Sequence, residues 1–230
     1  MKRKIIQTAD GSNTLYVEEL DETYHSTHGA IQEAEHVFIQ NGLSQFIERD
    51  EVTVFELGFG TGLNCLLTAI YGQKHNLKVN YFGIEAFPVE EELLIAMNYT
   101  NDMNEDAVER YAQIHQSSWD EMNELDSGFF LKKIEQKIED LEVDKEAIDL
   151  IYFDAFGPRA QSEMWDISVL KKMVDLLKPN GILVTYCAQG QFKRDLKSLG
   201  FVLEALAGPP GKREMTRATK SAFHFHSVNH

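Results

Sequence analysis

Glu56-Leu57-Gly58-Phe59-Gly60-Thr61-Gly62-Leu63-Asn64 decides how the rest of this 230-residue chain is read. Before it stands Val52-Thr53-Val54-Phe55, apolar and β-branched, which reads as a strand. After it, residues 63–70 are mostly apolar and read as a buried helix. The glycines therefore sit on a strand-to-helix turn. Glycine at alternate positions lets the backbone bend tightly and lets a ligand approach it with no Cβ in the way. The helix start adds backbone donors that have no intrahelical partner.

Two cofactor classes use such a turn. The dinucleotide fingerprint is G-x-G-x-x-G, with an acid roughly 20 residues on for a ribose hydroxyl. Here the third glycine comes one residue early, and Glu56 stands two residues before the first. That arrangement resembles motif I of S-adenosylmethionine-dependent methyltransferases. A second acid, Glu85, ends the next apolar run, Val79-Asn80-Tyr81-Phe82-Gly83-Ile84. A carboxylate there can accept from two ribose hydroxyls at once.

Outward from the turn, the chain alternates strand and helix. A hairpin is expected at residues 5–17, then one amphipathic helix over 30–46, with Ile31, Ala34, Val37 and Phe38 on its apolar face. Pro88 and Glu90-Glu91-Glu92 mark a helix start, and residues 100–126 read as mostly helical. Strands are expected at 129–134, 148–154 and 181–186, with helices over 164–177 and 191–199. Residues 201–206 and 218–226 should form a closing antiparallel pair. The pattern predicts an α/β fold, a mostly parallel sheet with helices on both faces. Residues 1–50 would be an N-terminal extension packed on the core, and residues 51–230 the main domain. Gly58, Glu85 and Asp154 all fall at carboxyl ends of strands, where ligands bind in such sheets.

The second chemical stretch is Asp154-Ala155-Phe156-Gly157-Pro158-Arg159, followed by Glu163-Met164-Trp165. Asp154 would project into the cleft from a proline-fixed loop. An aspartate there can orient an amine and take its proton, or simply cap the turn.

Composition narrows the setting. Hydrophobic residues make up 43% and charged residues 26%, the balance of an ordinary globular protein. No run of about 18 apolar residues suggests a membrane span, and the first residues lack a signal-peptide core; the cytoplasm is expected. Cys65 and Cys187 make neither a disulfide framework nor a metal set, and His25 and His28 lack ligand-spaced companions. No metal is expected. The net charge of −15 argues against simple nucleic-acid affinity, yet residues 191–220 carry seven basic residues against three acids. An acidic body with one basic face, or merely a solvated surface, fits these numbers.

Asp10-Gly11-Ser12, Tyr24-His25-Ser26, the glycine turn, Tyr152-Phe153-Asp154-Ala155-Phe156 with Glu163-Met164-Trp165, and Gly211-Lys212-Arg213-Glu214-Met215 together resemble one family. It is the tRNA 5-methylaminomethyl-2-thiouridine methyltransferases, in the stand-alone, MnmD-like form of the methyltransferase half of bifunctional MnmC. The resemblance implies a Rossmann-like class I S-adenosylmethionine-dependent fold. It implies N-methylation of 5-aminomethyl-2-thiouridine at the tRNA wobble position. The cofactor would lie on Glu56, Gly58, Gly60, Thr61, Gly62, Asn64 and Glu85, with Asp154 beside both methyl donor and amine. Gln136 falls where relatives carry an aspartate for the adenine, and Gly157 where alanine is expected. Tyr24, Phe156, Pro158 and Trp165 would meet the acceptor, and Lys212 and Arg213 the tRNA phosphates. No second glycine fingerprint appears, so no flavin is expected, and no obligate protein partner. Methylation of a small amine or a protein is the alternative.

Overall fold

The computed structural model describes residues 1–142 and 144–222. Eight strands form the main sheet, in the order β10-β11-β9-β8-β4-β5-β7-β6. At its centre lie β4 (Glu51–Leu57) and β8 (Ile148–Phe153), flanked by β5 (Lys78–Glu85) and β9 (Leu177–Thr185). These four run parallel, as does β7 (Phe129–Glu135) beside β5. The edge strands β6 (Asn123–Asp126) and β10 (Phe201–Ala207), with β11 (Glu214–Lys220) between β10 and β9, pair antiparallel.

The chain leaves β4 toward β5 and β7, then returns to β8 on the other side of β4. The sheet therefore changes winding direction between β4 and β8, and a crevice opens at their carboxyl ends. Every residue of β8 is buried, the signature of a strand covered on both faces. Side chains alternate between the two covers. Val52, Val54, Leu150 and Tyr152 face a core with α1 (Ala30–Ala34), α2 (Leu63–His75) and α4 (Glu105–Gln116). Phe55, Leu57, Ile151 and Phe153 face α5 (Ile167–Leu176) and α6 (Gly190–Ser198). In α5 the buried set Val169, Leu170, Met173 and Leu176 follows helical spacing, which fixes its face. The short α3 (Glu91–Ile95) begins three residues after Pro88.

A second sheet of β1 (Arg3–Gln7), β2 (Asn13–Val17) and β3 (Glu22–Thr23) precedes the core. Leu15 on β2 enters the same core as β4. Arg3 ties this sheet to the segment after β5, donating to the carbonyls of Phe87 (2.5 Å) and Pro88 (3.3 Å) and pairing with Glu90 (2.8 Å).

Several expectations need correction. The helix over 30–46 breaks into α1, a π-helical segment Glu35–Gln40 and a 3-10 turn Leu43–Phe46. Gly42 lies at the break, where a Cβ would stand 2.5 Å from the Phe38 carbonyl oxygen. Residues 100–126 are helical only in α4; β6 follows, an edge strand of poor intrinsic propensity that pairing with β7 imposes. The helix over 164–177 is a 3-10 turn, Ser162–Trp165, followed by α5. Strand β9 starts at Leu177 rather than at residue 181. Its register jumps from Ile148↔Leu177 to Leu150↔Ile182, so Pro179 and Asn180 bulge out of the ladder. The last strand begins at Glu214, and residues 223–226 of the expected one lie outside the described residues.

Candidate active site

The turn after β4 is shaped for close approach. Gly58 has φ +91°, and a Cβ there would lie 2.6 Å from the carbonyl oxygen of Asp154, at the end of neighbouring β8. Gly60, at φ +52°, has the Tyr24 ring 3.1 Å from its missing Cβ. The turn supplies shape more than donors. The amides of Gly58 and Phe59 bond Ile84 O, that of Gly60 bonds Glu85 Oε2, and that of Gly62 bonds Phe59 O. The unpaired donors expected there are thus largely satisfied within the fold. The carboxyl ends of β4, β5 and β8 frame a cavity of about 610 Å³, within the range of small-molecule sites.

A buried polar chain links the turn to Asp154. Asn64, in the first turn of α2, donates from Nδ2 to Glu56 Oε1 (2.7 Å) and to Asp154 Oδ2 (2.8 Å). Tyr81 donates to Glu56 Oε2 at 2.7 Å. Glu56 is 1% exposed, and burial pushes its carboxyl well above the ordinary range. Asp154 is raised to about 7. Burial is the main cause; Glu33 raises it further, while the Asn64 hydrogen bond and Lys212 lower it. An aspartate so placed exchanges a proton near neutrality. Glu85, at the tip of β5, accepts from Gly60 N and Phe87 N, both at 3.0 Å, and burial raises it as well. A carboxylate offers about four lone-pair sites, so Glu85 keeps capacity toward the cavity.

Opposite the glycine turn, aromatic rings wall the cavity. Tyr24 packs edge-on against Phe156 with centroids 5.1 Å apart, and its hydroxyl accepts from Arg3 Nε at 2.9 Å. Tyr186 donates to Ala155 O at 2.7 Å. Lys212 pairs with Glu33 and stands 3.7 Å from the Tyr186 ring centroid.

Of the residues singled out from sequence, Tyr24, Glu56, Gly58, Gly60, Thr61, Asn64, Glu85, Gln136, Asp154, Phe156 and Lys212 line this cavity. Gly62 does not; it is buried beside the His115 ring. Trp165 lies behind the wall, packed on Phe153 and Phe192, and its Nε1 donates to Phe156 O at 2.7 Å. It fixes the loop rather than facing the cavity. Pro158 and Arg213 line a neighbouring groove that shares Tyr186 and Lys212 with the main cavity. Lys212 pairs with the buried Glu33 while its own side chain stays 33% exposed. His25 is buried against Thr14, and among the described residues no three metal-ligating side chains gather.

Glu33, Arg3 and Tyr186 were missed. Glu33 carried a signal: Ala30, Glu33, Ala34 and Val37 follow i, i+3, i+4, i+7, so an acid occupies the apolar face. Arg3 carried none, because its partners lie in a distant segment.

A doubly wound sheet with a glycine turn after its first central strand, an acid at the tip of the next, and an aspartate across the crevice defines a nucleoside-cofactor-dependent transferase. Residues 96–221 match the family model described as S-adenosyl-L-methionine-dependent methyltransferase, and the chain belongs to that family. It is 30% identical over 220 residues to the "tRNA 5-methylaminomethyl-2-thiouridine biosynthesis bifunctional protein MnmC" of Cupriavidus necator, covering 89% of this chain and 32% of that protein. The protein of the same name from Leptospira interrogans is 29% identical, over 86% of this chain and 32% of its own length. The chain thus spans about a third of the length of these curated relatives. The crystal structure of MNMC2 from Aquifex aeolicus superposes with a TM-score of 0.79 at 25% identity, covering 96% of this chain and 70% of that one. The cavity fits S-adenosylmethionine: Glu85 keeps acceptor capacity toward it, and Asn64 Oδ1 is buried without a partner.

Proposed function

We propose that this methyltransferase methylates the exocyclic amine of 5-aminomethyl-2-thiouridine at the wobble position of tRNA, in the cytoplasm, with no flavin, metal or obligate protein partner. The observation that carries the reading is Asp154: tied to the glycine turn through Asn64, it lines a cavity walled by Tyr24, Phe156 and Tyr186. The names of the relatives support the same substrate class.

When bound, S-adenosylmethionine supplies a methyl group on a sulfonium sulfur. Glu85 would hold its ribose hydroxyls, and Gln136, beside it on the cavity wall, would meet the adenine. Gly58, Gly60, Thr61 and Asn64 shape the bed, and Glu56 fixes Asn64. The aromatic wall excludes water and packs the base. The acceptor amine must lose a proton so that its lone pair can attack, and Asp154 receives that proton or the one released afterwards. Holding the amine in line with the methyl group supplies most of the remaining rate enhancement. Residues 1–50 form one unit with the described residues that follow, because Arg3 and Tyr24 complete the wall.

The tRNA would lie across the groove of Pro158 and Arg213. In residues 191–220, Lys193, Lys212, Arg217 and Lys220 are ion-paired, so Arg213, Arg194 and Lys197 are left to meet phosphates. One observation favours the alternative of a small amine acceptor: Glu22, Glu139 and Glu163 also line the cavity and would repel phosphate. The test is transfer of labelled methyl to bulk tRNA from cells lacking the enzyme, with nucleoside analysis. Labelled 5-methylaminomethyl-2-thiouridine is expected. Label in no nucleoside, together with tRNA binding insensitive to salt, would overturn the reading.

A further inference from the structure

Lys212 sits in a basic segment, yet it makes its ion pair with an acid in the cavity wall. Its partner Glu33 is buried on α1, and Glu33 Oε2 accepts from Ser26 N at 2.7 Å. Both side chains line the cavity with Asp154. We propose that the Lys212–Glu33 pair is a positioning device for Asp154. The lysine supplies the counter-charge that lets Asp154 ionise in a buried setting, and Glu33 holds that lysine back so that it does not neutralise the aspartate outright. The proposal rests on the reading of Asp154 as the group that receives the acceptor's proton.

The surroundings of Asp154 require such a device. Glu33 from α1 sets negative charge against Asp154; Glu22 from β3 and Glu56 from β4 also line the cavity, with burial holding the Glu56 carboxyl well above the ordinary range. Asn64 from α2 is neutral, and the Tyr186 phenol keeps its proton, being raised by burial. His28 stands at the cavity wall beside Gly211. Among the described residues, Lys212 is the cation whose charge acts to lower Asp154. Burial and the charge of Glu33 raise Asp154; the Asn64 hydrogen bond and Lys212 oppose them. The lysine does not bond Asp154, and the Tyr186 ring face beneath its ammonium helps to fix it.

The geometry demands opposite responses from the two partners. Lys212→Met leaves Glu33 unopposed, so the pH profile of kcat moves up by about one unit. Transfer then falls about fivefold at pH 7 and recovers at higher pH. Glu33→Gln frees the lysine toward Asp154, and the profile moves down. Lys212→Arg keeps the charge and returns the profile toward the parent. The double variant Glu33→Gln/Lys212→Met leaves no unpaired buried charge; it is the informative protein if Lys212→Met fails to fold. Its profile should lie between those of the two single variants.

The decisive experiment pairs these profiles with carbon NMR titration of the Asp154 carboxyl in cofactor-free protein, using Asp154→Asn for assignment. Opposite displacements of that titration, up in Lys212→Met and down in Glu33→Gln, are expected. If both variants only lower the rate at every pH, or the double variant titrates like Lys212→Met, the proposal is overturned. The titration needs no acceptor. Opposite displacements in a protein that fails to methylate tRNA would therefore support the pair while sinking the substrate assignment. Methylation of tRNA with an unmoved titration would do the reverse.

Discussion

Gly58 and Asp154 touch through the space where Gly58 has no side chain: a Cβ would lie 2.6 Å from the Asp154 carbonyl oxygen. The glycine turn and the acidic loop are therefore one piece of backbone packing. Gly58→Ala should displace both, and φ +91° adds strain of its own. We expect a loss of about 2 kcal/mol or more in stability, read by thermal melting. Cofactor affinity should fall at least about tenfold by calorimetry, the equivalent of about 1.4 kcal/mol.

Asp154→Asn keeps the shape and the contact with Asn64 but removes the base. Methyl transfer should fall by about 10² to 10⁴, with cofactor affinity changed only a few-fold. In the parent, the rate should climb with pH through about 7, where Asp154 ionises. Single-turnover rates between pH 5.5 and 8.5 check this.

The same raised carboxyl has a stability consequence. Between the ordinary aspartate range and about 7, folded protein retains a proton that the unfolded chain has released. Stability contributed by this site therefore falls as pH rises through that window. Asp154→Asn should remove the dependence and be more stable than the parent at pH 8, by on the order of 2 kcal/mol. Denaturant melts at pH 5 and pH 8 give the comparison.

His25 and His115 predict a second pH dependence in the opposite direction. Burial pushes each down to about 4. Below about 6.5 the unfolded chain takes up protons that the folded chain refuses, so stability should fall as pH drops toward 4. His25→Gln should flatten part of that slope in melts taken between pH 7 and pH 4.5.

Arg3→Ala should release the roof of the site. It removes the bonds to Tyr24, Phe87, Pro88 and Glu90 while leaving the eight-stranded sheet intact. We expect faster cofactor dissociation in stopped-flow experiments and a loss of about 1–3 kcal/mol in stability.

The core strands were legible because β4, β5 and β8 are apolar, short and bounded by turn residues. Gly58, Glu85 and Asp154 were legible because strand ends locate them. The helix over 30–46 was misread where Gly42 breaks it, since periodicity continues across the break. Strand β6 was invisible because Asn123-Glu124-Leu125-Asp126 has no strand character apart from its partner. Lys212 was read from its basic neighbours as a phosphate contact. Its partner lies 179 residues away, and no local pattern reports such a pairing. Trp165 was expected to meet the acceptor and packs behind the loop of Phe156 instead, because local sequence does not say which side of a loop a ring packs on.

That long-range pair bears on how the protein comes into being. One wall of the cavity is built from residues near the start of the chain and closed by Lys212, late in the chain. Until Lys212 has been added, Glu33 is an acid with no ammonium to meet it. The cavity becomes complete only after Lys212 has folded back onto α1, so ligand capture waits on the meeting of two segments far apart in sequence.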